Sequence, residues 1–173
     1  TTKLAGDATF FLPFNMGNGE GVTAGAGNPA FEDKYSVSYM WEDILKKDTV
    51  LDLISKFIFV EVKEKVDDQT GKVKRYENLI FPRYHQLDVI RKLLADVRVN
   101  RTAQNYLIQH SAGSGKSNSI AWLAHRLSGL HNDLDEKIFR SVIVVTDRKV
   151  LDSQLQDTIY QFDHVAGVVQ KID

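Results

Sequence analysis

The chain has 173 residues, of which 43% are hydrophobic and 26% are charged, an ordinary globular balance that can support a packed core. Its net charge of −1 excludes a uniformly basic nucleic-acid-binding surface, and the absence of cysteine excludes disulfides and thiolate metal sites. No apolar run approaches the ~20 residues of a membrane helix, and the first twenty residues lack the basic-then-apolar order of a signal peptide, which favours a cytoplasmic protein that contacts no membrane.

Residues 1–80 are predicted to form a connecting segment. A short apolar stretch at residues 10–14 is followed by a glycine-rich run, which is typical of a long irregular loop. Apolar residues recur at helical spacing in residues 39–58, where Asp48 and Thr49 are expected to cap a restart, so we predict two short helices. Alternation in residues 59–80 around a charged turn predicts a β-hairpin.

Residues 81–173 are predicted to alternate between helices and buried strands. After Pro82 comes an amphipathic helix, and residues 106–108 follow it as a short apolar strand. A second amphipathic helix is expected to end at Gly129, because glycine commonly terminates helices.

The same alternation continues beyond Gly129. The apolar run of residues 141–146 predicts a strand covered on both faces, and the next helix carries Leu151, Leu155 and Ile159. Strand, helix, strand and helix in this order predict an α/β fold, in which a parallel sheet is flanked by helices. Because the chain begins with Thr1 rather than Met and ends without a turn or cap, we expect it to be a piece of a longer protein.

A glycine-rich loop at residues 110–117 lies between the predicted strand and the second amphipathic helix. Two glycines let the main chain turn tightly and bring N–H groups close to a phosphate. The lysine supplies positive charge to the β- and γ-phosphates, the last serine offers a hydroxyl to Mg²⁺, and the helix N-terminus attracts the same anion. The residues predicted to bind a nucleoside triphosphate with Mg²⁺ are Gly113, Ser114, Gly115, Lys116 and Ser117.

Two features keep an alternative open for this loop. His110 stands where the strict pattern has glycine, and a glycine turn can enter a helix without binding any ligand. We assign His110 no catalytic role, and Lys116 is the only residue of the chain to which we assign a part in catalysis.

Two segments beside the loop carry a family resemblance. They are Phe-Pro-Arg-Tyr-His-Gln-Leu-Asp at residues 81–88 and Val-Val-Thr-Asp-Arg-Lys-Val-Leu-Asp-Ser-Gln-Leu at residues 144–155. With the loop and the glycine-rich start, they closely resemble the R (motor and endonuclease) subunit of type I restriction enzymes, a superfamily 2 translocase. The resemblance implies a P-loop NTPase fold, with the nuclease-motor connection in residues 1–80 and part of the first RecA-like domain in residues 81–173.

The resemblance also implies a function. Such a subunit uses ATP and Mg²⁺ to translocate double-stranded DNA and cleaves it, in complex with specificity (S) and methyltransferase (M) subunits. No Asp-Glu pair follows an apolar strand after Ser117, so the carboxylates that hold Mg²⁺ and activate water in these motors are missing here. We therefore expect this stretch alone to hydrolyse almost no ATP.

Three residues outside the loop receive roles from the resemblance. Gln86 matches the glutamine that contacts adenine, and a carboxamide can both donate to and accept from the adenine edge. Thr146 and Arg148 match a segment that faces the DNA backbone. The alternatives are a polar residue at a helix start for Gln86 and an exposed helix-start charge for Arg148.

Other functions are kept as alternatives or set aside. A general superfamily 2 helicase and a P-loop nucleotide-binding module without DNA function both remain alternatives. Glu61 and Lys63 have the Glu-x-Lys form of a nuclease site, but the charges around them fit the solvated face of a hairpin. Trp41 and Trp122 are expected at core positions.

Overall fold

The computed structural model of the chain describes residues 2–3, 7, 9, 12–18, 26–67, 70–101, 104–147, 155–156 and 158–160. The chain divides into two compact units, Thr1–His85 and Gln86–Asp173, and each is described by itself. The boundary expected between residues 80 and 81 stays a prediction. Within the described ranges, no helix combines the length and the apolar character needed to cross a membrane.

A three-stranded antiparallel sheet lies in the first unit. Its strands, in the order β1-β3-β2, are β1 (Thr2–Lys3), β2 (Phe59–Val66) and β3 (Val73–Ile80). Strands β2 and β3 form the predicted hairpin, in which Phe59 lies opposite Ile80 and Val66 lies opposite Val73. Strand β1 has no counterpart among the predicted elements, because two residues are too few to show an alternation.

Two short helical elements precede the hairpin, as the spacing predicts. They are a π-helical turn (Met40–Ile44) and helix α1 (Lys47–Lys56). The predicted cap is wrong: α1 begins after Lys46, and no side chain caps it within the described residues. Asp48 lies instead in the first turn, where its carboxylate interacts favourably with the helix dipole.

Within the irregular residues 12–18, Phe14 packs against aromatic side chains of the first unit. The Phe14 ring meets the rings of Phe81 and Tyr84 edge to face, each with centroids 5.7 Å apart. The Tyr39 hydroxyl donates a hydrogen bond to the Phe14 carbonyl at 2.5 Å, and burial raises the pKa of this phenol. Trp41 does not join this core, so its predicted core position is wrong: 53% of it is exposed.

The second unit contains most of helix α2 (Tyr84–Asn100) and all of helix α3 (Lys116–Ser128). Helix α2 is amphipathic, as predicted, and the apolar residues of its buried face are Leu87, Ile90, Leu93, Leu94 and Val97. Helix α3 ends directly before Gly129, as predicted, and Trp122 is buried within it. Residues 155–156 and 158–160 are helical, and Leu155 and Ile159 cluster with Ala121 of α3, whereas Leu151 lies outside the described residues.

The two predicted strands of the parallel sheet are not formed. Residues 104–110 and 141–146 have no regular secondary structure, and Leu107 and Val145 are 92% and 87% exposed. A parallel strand is stable when neighbours pair with it and helices cover both faces, and the described residues supply no such neighbours. The described part of the chain is a mixed α/β structure with an antiparallel sheet, and the predicted RecA-like parallel sheet is not seen in it.

Candidate functional site

The predicted phosphate loop forms a tight main-chain turn directly before α3. Gly113 and Gly115 both have left-handed backbone conformations, with φ values of 73° and 82°. A Cβ at Gly113 would meet no atom within 4 Å, so glycine is required there by the backbone conformation and not by lack of space. The Ser114 N–H donates to the Ser111 carbonyl at 3.3 Å, which closes the turn.

Helix α3 begins at Lys116 with its first N–H groups directed at the loop. Within the described residues, no side chain caps this end and no acidic residue lies in the first turn. The first N–H groups of a helix have no carbonyl partner inside the helix, and they carry the positive end of its dipole. The end of the helix that follows the loop is therefore suited to an anion.

The ammonium group of Lys116 lies over the loop itself. Its Nζ donates to the Ser111 carbonyl at 2.9 Å and to the His110 carbonyl at 3.3 Å. Both acceptors are neutral main-chain oxygens, and the side chain is exposed. An anionic oxygen is a stronger acceptor than a neutral carbonyl, so a bound phosphate can replace these contacts.

Gln86 contacts the phosphate loop, a contact that the sequence analysis did not predict. This residue lies in the first turn of α2 and only 3% of it is exposed. Its Nε2 donates a hydrogen bond of 2.8 Å to the carbonyl oxygen of Gly115, 29 positions further along the chain. No local pattern signals a contact over this separation, because residues are brought together at such distances only by the tertiary fold.

The predicted DNA-facing residues are only partly described. Thr146 is half-buried and lies in the irregular stretch that ends with Asp147, whereas Arg148 lies outside the described residues. Both DNA-binding assignments therefore stay predictions.

The predicted solvated face of the hairpin is charged and paired. Glu61 accepts from Lys63 at 2.9 Å and from the Asn78 amide at 3.5 Å. Where the structure describes the chain, no group of three or more His, Cys, Asp or Glu side chains is arranged to hold a metal ion. Glu61 and Lys63 form an ion pair within strand β2 of the hairpin.

A comparison with protein-family models shows to which family of ATPases the region around the loop belongs. The model of SWI2/SNF2 ATPases matches residues 85–172, a range that includes Gln86, the phosphate loop and Thr146. The chain belongs to the SWI2/SNF2 ATPase family. As in any SWI2/SNF2 ATPase, the matched region is a nucleotide-binding one, and the left-handed glycines and Lys116 lie inside it.

One curated relative extends the similarity beyond the SWI2/SNF2 ATPase region. The type I restriction enzyme MjaVIIIP endonuclease subunit of Methanocaldococcus jannaschii is 28% identical over 145 residues. The match covers 76% of this chain but only 13% of the relative. This SWI2/SNF2 ATPase is thus distantly related to a type I restriction endonuclease subunit, as the residues at 81–88 and 144–155 indicate. No solved structure matches the chain.

Proposed function

We propose that this SWI2/SNF2 ATPase belongs to the motor and endonuclease subunit of a type I restriction enzyme. In this proposal the loop of residues 110–117 binds Mg·ATP, and hydrolysis drives translocation of double-stranded DNA. The observation that carries the proposal is the loop geometry within the matched ATPase region: two left-handed glycines and Lys116 lie at the start of a helix that no described side chain caps. The relative is an endonuclease subunit of a type I restriction enzyme, which supports the restriction function and membership of a complex; the S and M subunits are the partners that the sequence resemblance implies.

Each loop residue has a role that follows from its position. The N–H groups around Gly113, Ser114 and Gly115 would hold the β-phosphate, and Lys116, which now donates to two main-chain carbonyls, would supply positive charge to the phosphate oxygens. The Ser117 hydroxyl, in the first turn of α3, would hold Mg²⁺, which prefers oxygen ligands and neutralises phosphate charge when bound.

Roles outside the loop complete the proposal. Gln86 contacts adenine through its carboxamide, and its hydrogen bond to Gly115 supports this by keeping the amide beside the nucleotide loop. Thr146 and Arg148 contact the DNA backbone at the end of the segment that includes residues 141–146. A cytoplasmic location follows from the proposed action on DNA.

We also propose that residues 106–108 and 141–146 become strands of a parallel, RecA-like sheet. Both segments have the apolar residue pattern of a buried strand. Both are nevertheless exposed in the structure, where Leu107 is 92% and Val145 is 87% accessible. Covering such exposed apolar residues with neighbouring strands and helices lowers the free energy of the folded protein. The strands that pair with them would lie outside the described residues.

Replacing Lys116 tests the proposed function. In the full-length protein, Lys116→Ala should lower DNA-stimulated ATP turnover by at least about 100-fold, because a charge that stabilises the transferring phosphoryl group is lost. ATP turnover is measured with and without linear duplex DNA, beside a thermal unfolding curve for each variant.

The matched control is Lys92→Ala, which removes a lysine whose side chain is 76% exposed on the surface of α2. It should leave turnover unchanged. Normal turnover in Lys116→Ala would sink the proposed function, whereas stimulation by single-stranded DNA alone would favour a strand-separating helicase instead.

A further inference from the structure

The contact between Gln86 and Gly115 joins the start of α2 to the loop residue that directly precedes α3. The Gly115 carbonyl accepts from Gln86 Nε2 at 2.8 Å and from the Ser119 main-chain N–H at 3.2 Å. The second of these bonds belongs to the first turn of α3, as in any helix. The first is a side-chain bond from another element, and it adds a fixed donor on the same oxygen.

Peptide planarity transmits this contact to the phosphate side of the loop. The Gly115 carbonyl and the Lys116 N–H belong to one planar trans unit, so they point in opposite directions. Holding the carbonyl toward Gln86 therefore directs the Lys116 N–H away from Gln86. This N–H is among the first donors of α3, the end suited to an anion.

Space around Gly115 is matched to the glutamine. A Cβ on Gly115 would lie 2.5 Å from Gln86 Nε2, which is closer than two such atoms can approach. The left-handed φ of 82° also disfavours any other residue there. Glycine at this position therefore serves two purposes, because it permits the turn and it admits the amide of Gln86.

We propose that Gln86 is a positioning residue of the phosphate loop, holding the Gly115–Lys116 peptide with its N–H turned toward a polyphosphate. The ligand class is the phosphate tail alone, so the contribution is independent of the base. This inference rests on the proposed nucleotide binding at residues 110–117. It adds to the adenine contact proposed for Gln86, since a carboxamide carries two N–H donors and one acceptor oxygen.

The burial of Gln86 gives the contact its strength. With 3% of the residue exposed, water cannot readily replace the lost donor when the side chain is changed. A hydrogen bond in such a setting contributes about 0.5–1.5 kcal/mol, so its loss should weaken phosphate binding by roughly two- to tenfold.

The experiment measures binding of two probes by the full-length protein: Mg·ATP and inorganic tripolyphosphate with Mg²⁺. Gln86→Met keeps the length of the side chain but removes its donor, and Gln86→Asn keeps the amide but is one methylene too short. Both variants should bind tripolyphosphate about two- to tenfold more weakly, and ATP at least as much more weakly. Gln109→Met, which changes an exposed glutamine beside the loop, is the control and should bind both probes normally.

A double-mutant cycle separates positioning from a general loss of structure. Gly115→Ala displaces the Gln86 amide and also strains the left-handed turn, so it should weaken tripolyphosphate binding more than Gln86→Met does, and adding Gln86→Met to it should cause little further loss. Full additivity would overturn the inference. So would wild-type tripolyphosphate binding by Gln86→Met with weakened ATP binding, because Gln86 would then act on the base only.

The two proposals fail in different ways. Binding of neither probe by the wild-type protein would overturn the proposed function itself. Normal wild-type binding that Gln86→Met leaves unchanged would overturn the positioning role alone. A lowered melting temperature in both Gln86 variants, with normal affinity for both probes, would assign Gln86 to stability and also reject the positioning role.

Discussion

Two tryptophans show how burial differs between residues of one type. Trp122 is 1% exposed and follows Ala121, which is fully buried in α3. Trp41 is 53% exposed in the π-helical turn, where its ring meets that of Tyr35 edge to face at 6.3 Å. Both rings are large and apolar, so the sequence pattern assigns both to the core. The difference arises because the few residues of a short helical turn do not determine which of its faces is buried.

Trp122→Ala should lower the free energy of unfolding by about 3–5 kcal/mol, since it removes a large buried ring and leaves a cavity. Trp41→Ala is the matched control and should cost under about 1 kcal/mol, because its ring already contacts water. Denaturant unfolding followed by circular dichroism measures both. Equal losses in the two variants would contradict the burial of Trp122.

Among the predicted secondary-structure elements, strands that pair with a sequence neighbour form, whereas strands that need distant partners do not. The hairpin of β2 and β3 was predicted from alternation and a turn, and its register places Glu64 opposite Arg75. Helices α2 and α3 follow from apolar spacing, and Gly129 marks the end of α3. The segments at residues 106–108 and 141–146 have an equally apolar pattern, yet they form no strand, because a parallel strand depends on partners far away in the chain.

Amide hydrogen exchange tests the proposed strands. In the 173-residue chain, the amides of Leu107 and Val144 should exchange nearly as fast as in an unstructured peptide. In the full-length protein they should be protected by on the order of 100-fold, because strand pairing sequesters them. The amide of Leu94, inside α2, is the reference and should be protected in both samples. Fast exchange of Leu107 and Val144 in both would reject the proposed parallel sheet.

For the whole molecule, charge limits how DNA can be held. The net charge is −1, from 22 basic and 23 acidic residues, so no overall field attracts a polyanion. Binding to a DNA backbone must then depend on a few local cations, each of which releases counterions from the phosphates. Arg148, placed by resemblance in the DNA-facing segment, is the cation for which the sequence makes this prediction.

Arg148→Ala should weaken DNA stimulation of ATP turnover while leaving the affinity for Mg·ATP unchanged. The salt dependence of DNA binding should also become shallower, by about one unit in the slope of log affinity against log salt. Arg140→Ala, which changes an exposed arginine in the same unit, serves as the control. An unchanged slope in Arg148→Ala would remove this residue from the proposed DNA contact.

Most of the local structure could be predicted from the sequence, because its causes are close together in the chain. The phosphate loop needs two glycines and a lysine within a few residues, and this segment lies inside the matched family region. The hairpin and both long helices follow from periodicity and from local turn and end residues. The match of residues 85–172 to the family model assigns the chain to the SWI2/SNF2 ATPases.

Only the tertiary structure decided the features that join distant residues. It placed Gln86 against Gly115 across 29 positions, exposed Trp41, and left residues 106–108 and 141–146 without strand partners. Each of these outcomes depends on which surfaces meet after the chain has folded. A local pattern records which side chains are apolar or polar, but burial and long-range hydrogen bonds depend on partners that the pattern does not specify.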